Sequence, residues 1–155
     1  MRRKRKFKRE IEPDSIHDSL LLAQFINHLM KDGKKSIAQK IIYRAFDIIK
    51  EKTKKEPLDI FDLAVKNTSP LVEVRSRRIG GARYQVPREV RGERKIALSI
   101  RWLIQAAANK KGKPMDEKLA EEFILASKNE GAAVKKKEET HKIADANKAF
   151  AHFGW

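Results

Sequence analysis

The sequence predicts a mainly α, six-helix single domain with an inserted, protruding two-stranded β-hairpin. Three observations lead there. Apolar residues recur at helical spacing through most of the chain. One central stretch switches to strand formers around a Gly-Gly pair. No internal repeat or Gly/Ser-rich linker divides the 155 residues, and a hydrophobic share of 41% fills one core but not two. Residues 1–12 read as a basic N-terminal arm, and 13–155 as the helical domain with its hairpin at about 71–90.

In the arm, Arg2, Arg3, Lys4, Arg5, Lys6, Lys8 and Arg9 have no acid among them. Like charges at this density do not pack, so order there is expected only on a partner. The first helix starts at Asp18 or Ser19, either of which can cap it. It carries Leu22, Phe25, Ile26, Leu29 and Met30 inward and stops at Asp32-Gly33, with Gly33 suited to the left-handed closing position. The second runs from about Lys35 to Lys52. Ile37, Ile41, Ala45 and Ile48 form its main stripe, and Ile42, Phe46 and Ile49 widen it. Pro57 opens the third helix, which turns Leu58, Phe61, Ala64 and Val65 inward and ends before Pro70. The fourth covers about Glu93 to Ala108 around Ile96, Ile100, Leu103 and Ala107. The fifth covers about Pro114 to Lys128 around Met115, Leu119, Phe123 and Ala126. A polar sixth helix is expected from about Ala132 to Phe150, lying in solvent or on a partner.

Charge narrows the function. The net charge is +15, and charged residues make up 37% of the chain against a usual quarter. A chain this basic repels itself, so a polyanion is the expected ligand. With no cysteine, disulfides, thiol catalysis and cysteine-bound zinc are excluded. No apolar run reaches the roughly 18 residues of a membrane span, and Met1 to Arg9 lacks the apolar segment of a secretory signal. His17 and His28 stand eleven residues apart, as do His141 and His152. On a continuous helix that is about 16 Å, too far to share a metal. Gly80-Gly81 lacks the spacing and the following Lys-Ser/Thr of a phosphate-cradling loop. The carboxylates sit among opposite charges on helix surfaces, with no pair marked as acid and base. The reading is therefore no enzyme, no cofactor and no metal.

The hairpin is the most informative stretch. Its basic residues from 75 to 94 are Arg75, Arg77, Arg78, Arg83, Arg88, Arg91 and Arg94, all arginine in a chain otherwise rich in lysine. Guanidinium forks grip phosphate with two parallel bonds and stack on bases, which ammonium groups do not. With Gly80 and Gly81 as turn residues, Ile79 faces Ala82, Arg78 faces Arg83, Arg77 faces Tyr84, Arg75 faces Val86 and Glu73 faces Arg88. The Glu73/Arg88 pair is favourable. The Arg78/Arg83 pair is not, unless an anion lies over it. Tyr84 is placed to stack on a base or to hold Arg77 through its ring. Neither face is apolar throughout, so Val72, Val74 and Val90 are expected to root the base while the tip projects and orders on its ligand. Lys34 and Lys35 at a helix start, Arg101, and the loop lysines Lys110, Lys111 and Lys113 are secondary candidates.

Asn67-x-x-Pro70-x-x-Glu73-Val74-Arg75-Ser76-Arg77-Arg78-Ile79-Gly80-Gly81-Ala82-x-Tyr84-Gln85-Val86-Pro87 closely resembles the signature of the ribosomal protein seven family of the bacterial small subunit. Phe25-Ile26-Asn27, Asp32-Gly33-Lys34-Lys35, Arg101-Trp102-Leu103, Gly131 through Glu139 and Ala146 through His152 look like further family segments. The resemblance implies six helices with a β-ribbon. It also implies early binding to the 3′ major domain of small-subunit ribosomal RNA, nucleating assembly of the subunit head. Ribbon and C-terminal helix would lie near exit-site tRNA and messenger RNA, with ribosomal proteins nine and eleven as neighbours. Carried over by motif, Lys34, Lys35, Arg75, Arg77 and Arg78 would hold ribosomal RNA; Arg94 and Arg101 are further candidates for that contact, and from the arm, which departs from the usual arginine run, only the charge of Arg2, Arg3, Lys4 and Arg5 is carried over. Arg78, Gly80, Gly81, Arg83 and Tyr84 would approach tRNA or messenger. Arg83 stands where many relatives carry a smaller polar residue, adding charge at the tip. The implied place is the ribosome of the cytoplasm, or of an organelle, with no membrane contact and no homo-oligomer. The alternative reading is an architectural DNA-binding protein using a basic β-ribbon arm.

Overall fold

A computed structural model describes residues 11–153. Within them the order is α1 (Leu20–Leu29), α2 (Lys35–Thr53), α3 (Pro57–Thr68), β1 (Val72–Ile79), β2 (Ala82–Glu89), α4 (Gly92–Asn109), α5 (Met115–Ser127), α6 (Ala132–Ala146) and a 3-10 helix, Lys148–Phe153. The two strands form one antiparallel sheet between helices. The expected mainly helical domain with one hairpin is the observed fold. The arm residues Arg2, Arg3, Lys4 and Arg5 lie outside the described residues.

The core sits where α2, α3, α4 and α5 meet. Phe25, Phe61 and Phe123 are fully buried, with ring centroids 5.4 Å apart in each pair and tilts of 64° to 85°. These edge-to-face angles are those that aromatic quadrupoles prefer. Burying each ring contributes roughly 1.5–3 kcal/mol.

Side chains close the helix ends. Ser19, one of the two expected caps, accepts from Leu22 N at 3.3 Å. Asn67 donates to the carbonyls of Ala126 and Ser127 at 2.9 and 3.0 Å, which finishes α5. Lys137 on α6 donates to the Asn67 carbonyl at 2.5 Å, so α3, α5 and α6 are locked at one corner. Between α3 and α4 the buried hydroxyls of Thr68 and Ser99 meet, while Ser99 donates to Val65 O at 3.0 Å.

Four expectations change. First, α1 closes at Leu29, short of Asp32-Gly33. Asp32 and Gly33 both take positive φ (53° and 73°) in the turn beyond the helix. Second, the core stripe of α2 is Ala38, Ile42, Ala45, Phe46 and Ile49, and Ile37 stays 53% exposed. The apolar arc of α2 is wider than its neighbours cover. Third, α6 ends at Ala146. Asn147 Nδ2 bonds back to Ile143 O at 2.8 Å, and the chain tightens into the 3-10 turn. Fourth, not all carboxylates lie on the surface. Glu122 is fully buried and Asp14 is 5% exposed.

Asp14 anchors the segment before α1. Its carboxylate accepts from Tyr43 Oη at 2.8 Å and from the amides of Ile16 and His17, both at 3.3 Å. Burial, reinforced by the hydrogen bond and charge of Asp14, pushes the Tyr43 phenol up to about 12. Folding thus favours the neutral phenol. The stabilisation is fully present below the unfolded value of 10.0 and is lost as pH rises through about 12. In a Tyr84→Phe variant Tyr43 is the sole tyrosine. Its tyrosinate absorbance should then rise with a midpoint near pH 12 in the folded state. A midpoint at the ordinary tyrosine value would mean that the Asp14 contact is absent in solution.

Candidate nucleic-acid interface

The ribbon has the register its turn dictates. Ile79 pairs with Ala82, Arg78 with Arg83, Arg77 with Tyr84, Arg75 with Val86 and Glu73 with Arg88. Gly80 and Gly81 take φ of 57° and 93°, the double positive φ of a two-residue hairpin turn that follows strand twist. A Cβ on either glycine would meet no atom within 4 Å, so the tip stands clear of the protein. Substitution there is disfavoured by backbone conformation alone.

At the tip Arg78 and Arg83 lie directly opposite and are exposed. Among the described residues neither has an acid within ion-pair distance. Two guanidiniums held this way raise the local potential with nothing to offset it, which destabilises the bare ribbon.

The base differs from expectation in two ways. Glu73 is paired with Arg75 at 2.6 Å and with Arg94 of α4 at 3.2 Å, rather than with Arg88 across the strand. Strand geometry explains Arg75, which is two residues along on the same face. The start of α4 brings Arg94 against the other carboxylate oxygen. Burial alone would raise the Glu73 carboxyl; the hydrogen bonds and charges of Arg75 and Arg94 outweigh it and hold the group below its ordinary value. Arg75 is thus partly engaged within the chain, although its side chain remains 53% exposed. The buried apolar roots are Val86 and Val90, while Val72 and Val74 are only half-buried. Around Glu73 a crevice of about 230 Å³ is lined by Arg75, Arg88, Arg91 and Arg94, with Glu89 and Val90. Four guanidiniums against two carboxylates leave it net positive.

Tyr84 has a place the sequence did not reveal. Its ring centroid lies 5.2 Å from that of Phe150 and 5.5 Å from that of Phe153. The ring is half-buried among the protein's own aromatics, which limits its access to a base. The short aromatic tail was the one available signal, but nothing local pointed it at Tyr84.

The remaining candidates are spread out. Lys34 and Lys35 are exposed at the start of α2, where no side chain caps the helix. Arg101 is exposed on α4, two turns after Arg94. Ten residues of α4, about 15 Å, separate Arg94 from Ile104, which shares a groove with Lys34. Lys110 lies against Glu122 and Lys113 against Glu121, so only Lys111 of that loop is without an acidic partner among the described residues. The basic groups therefore form a dispersed footprint, which suits a polyanion with many phosphates better than a small ligand. Among the described residues no cluster of three metal-ligating side chains occurs, and no helix is long and apolar enough to cross a membrane.

The family model for ribosomal protein S7p/S5e matches residues 1–148. The chain belongs to that family. It is similar over its whole length to the small ribosomal subunit protein uS7 of Thermotoga maritima, at 59% identity and with both chains fully covered. The uS7 of Thermotoga neapolitana is 58% identical over the same span. That of Caldanaerobacter subterraneus subsp. tengcongensis is 57% identical over 148 residues, covering 96% of this chain and 95% of its own. As a member of the S7p/S5e family the chain is a structural ribosomal protein and no enzyme.

Proposed function

We propose that this protein binds small-subunit ribosomal RNA as a scaffold component, gripping the 3′ major domain and nucleating assembly of the head. The observation that carries the reading is the facing Arg78/Arg83 pair at an open tip, without acidic partners among the described residues. Phosphate over that pair would turn a repulsion into a bidentate clamp. Arg77 beside the tip, Arg75 and Arg94 towards the ribbon base, and Lys34, Lys35 and Arg101 on the body extend the contact; Arg2, Arg3, Lys4 and Arg5 of the arm add charge. Where RNA helices converge, these cations lower the cost of bringing phosphates together, and shape counts more than base sequence in double-stranded parts. The tip residues Arg78, Gly80, Gly81 and Arg83, with Tyr84 beside them, would face exit-site tRNA and messenger. Ribosomal proteins nine and eleven would be neighbours.

The test is sedimentation with small subunits in a sucrose gradient, joined to a competition at one fixed salt concentration, because phosphate binding varies steeply with salt. The protein should travel with the subunit, and folded 3′-domain RNA should displace a labelled copy of itself far better than duplex DNA does. Equal displacement by DNA would support an architectural DNA binder and overturn the scaffold reading.

A further inference from the structure

The strongest unassigned feature is the aromatic contact between ribbon and C-terminus. A two-stranded ribbon on its own is marginal in water. Here β2 is braced by residues 66 and 69 positions further along the chain, through the Tyr84–Phe150 and Tyr84–Phe153 ring pairs. Phe150 and Phe153 lie nearly parallel, with centroids 6.4 Å apart and planes at 12°. Tyr84 is the third residue of β2, so the brace acts on the outer half of the ribbon, next to the Arg78/Arg83 pair.

Two observations make this brace releasable. The 3-10 helix Lys148–Phe153 contains no buried residue. Nearer the base, an open groove of about 250 Å³ lined by Val72, Pro87, Lys148 and Ala151 runs between ribbon and tail, so the packing there is incomplete. Shallow docking of this kind belongs to the low-stability end of a fold. We infer that Phe150 and Phe153 are positioning residues, a clasp that fixes the outer ribbon through Tyr84 and so presents Arg78 and Arg83 ready for RNA. The ordering step is independent of what the ribbon binds; its consequence for RNA rests on the function proposed above. Affinity scales with the population of the competent conformation, and two ring contacts of ordinary strength change that population roughly tenfold.

The test uses the full-length protein with Phe150→Ala and Phe153→Ala together, and a Phe150→Tyr/Phe153→Tyr variant that keeps the rings. Amide hydrogen exchange in a peptide spanning residues 75–86 should quicken by roughly tenfold in the alanine variant. Exchange in α3 and α5 should stay at the wild-type rate, and the tyrosine variant should restore ribbon protection. Affinity for a 3′-domain transcript at fixed salt should fall several-fold with alanine and recover with tyrosine. Unchanged exchange across 75–86 overturns the clasp, and faster exchange with no loss of affinity overturns its part in presenting Arg78 and Arg83 to RNA. A wild-type protein that shows no preference for the transcript overturns the RNA reading instead, and the exchange data still judge the clasp.

Discussion

Replacing Arg75, Arg77 and Arg78 together by alanine is expected to leave the helical body folded and to weaken binding of 3′-domain RNA by about 100-fold or more at moderate salt. Removing one phosphate-neutralising side chain makes the plot of log affinity against log salt shallower by roughly 0.7 to 0.9, so the triple variant should lose about two units of slope. The three arginines should not contribute equally. Arg75 already offsets Glu73, so part of its charge is spent within the chain. Arg78 has no acid within ion-pair reach among the described residues, so the single Arg78→Ala change should cost more than Arg75→Ala. Filter binding across a salt series measures both quantities. Wild-type affinity and slope in the triple variant would remove the ribbon from the interface.

The largest stability effect is expected at Glu122. Its carboxylate is fully buried at the junction of α4, α5 and α6. Oε1 accepts from Ala133 N at 3.0 Å in the first turn of α6, where helix amides otherwise lack partners. Oε2 lies 2.8 Å from Lys110 Nζ, at ion-pair distance although outside hydrogen-bond geometry. Glu122→Ala leaves the Ala133 amide without its acceptor and the buried Lys110 ammonium with only Glu121 Oε2, 4.0 Å away. A loss of about 3–5 kcal/mol is expected, read from urea unfolding with an unchanged slope. A Lys110→Met/Glu122→Ala double variant should lose less than the two single changes predict, since the pair is removed together. Gly131 belongs to the same device. Its φ is +97°, and a Cβ there would sit 2.8 Å from Glu122 Oε1. A loss below about 1 kcal/mol for Glu122→Ala would show that water or a rearranged side chain replaces the carboxylate.

Most elements were legible because their causes are local. The 3.6-residue recurrence of Leu22, Phe25 and Ile26, or of Ile100, Leu103 and Ala107, is a property of neighbouring residues, and all six are buried. The hairpin register followed from Gly80-Gly81 alone, since a two-residue turn leaves one pairing. Charge was legible for the same reason, and it directed attention to the ribbon. Failures began where a partner lies far along the chain. Ile37 and Ile42 are equally apolar, and only the placement of α1 and α5 around α2 decides that one is exposed and the other fully buried.

Composition and periodicity by themselves determined a helical body, a glycine-turned arginine ribbon and an unmet need for negative charge. The tertiary structure alone decided which charges are already spent. Glu73 and Glu122 resemble any surface glutamate until α4 and α6 close over them, and Tyr84 resembles any strand tyrosine until Phe150 and Phe153 fold back against it. The reason is physical: an ion pair or a ring contact depends on distance in space, and neighbouring residues fix that distance only within a turn or two of the backbone.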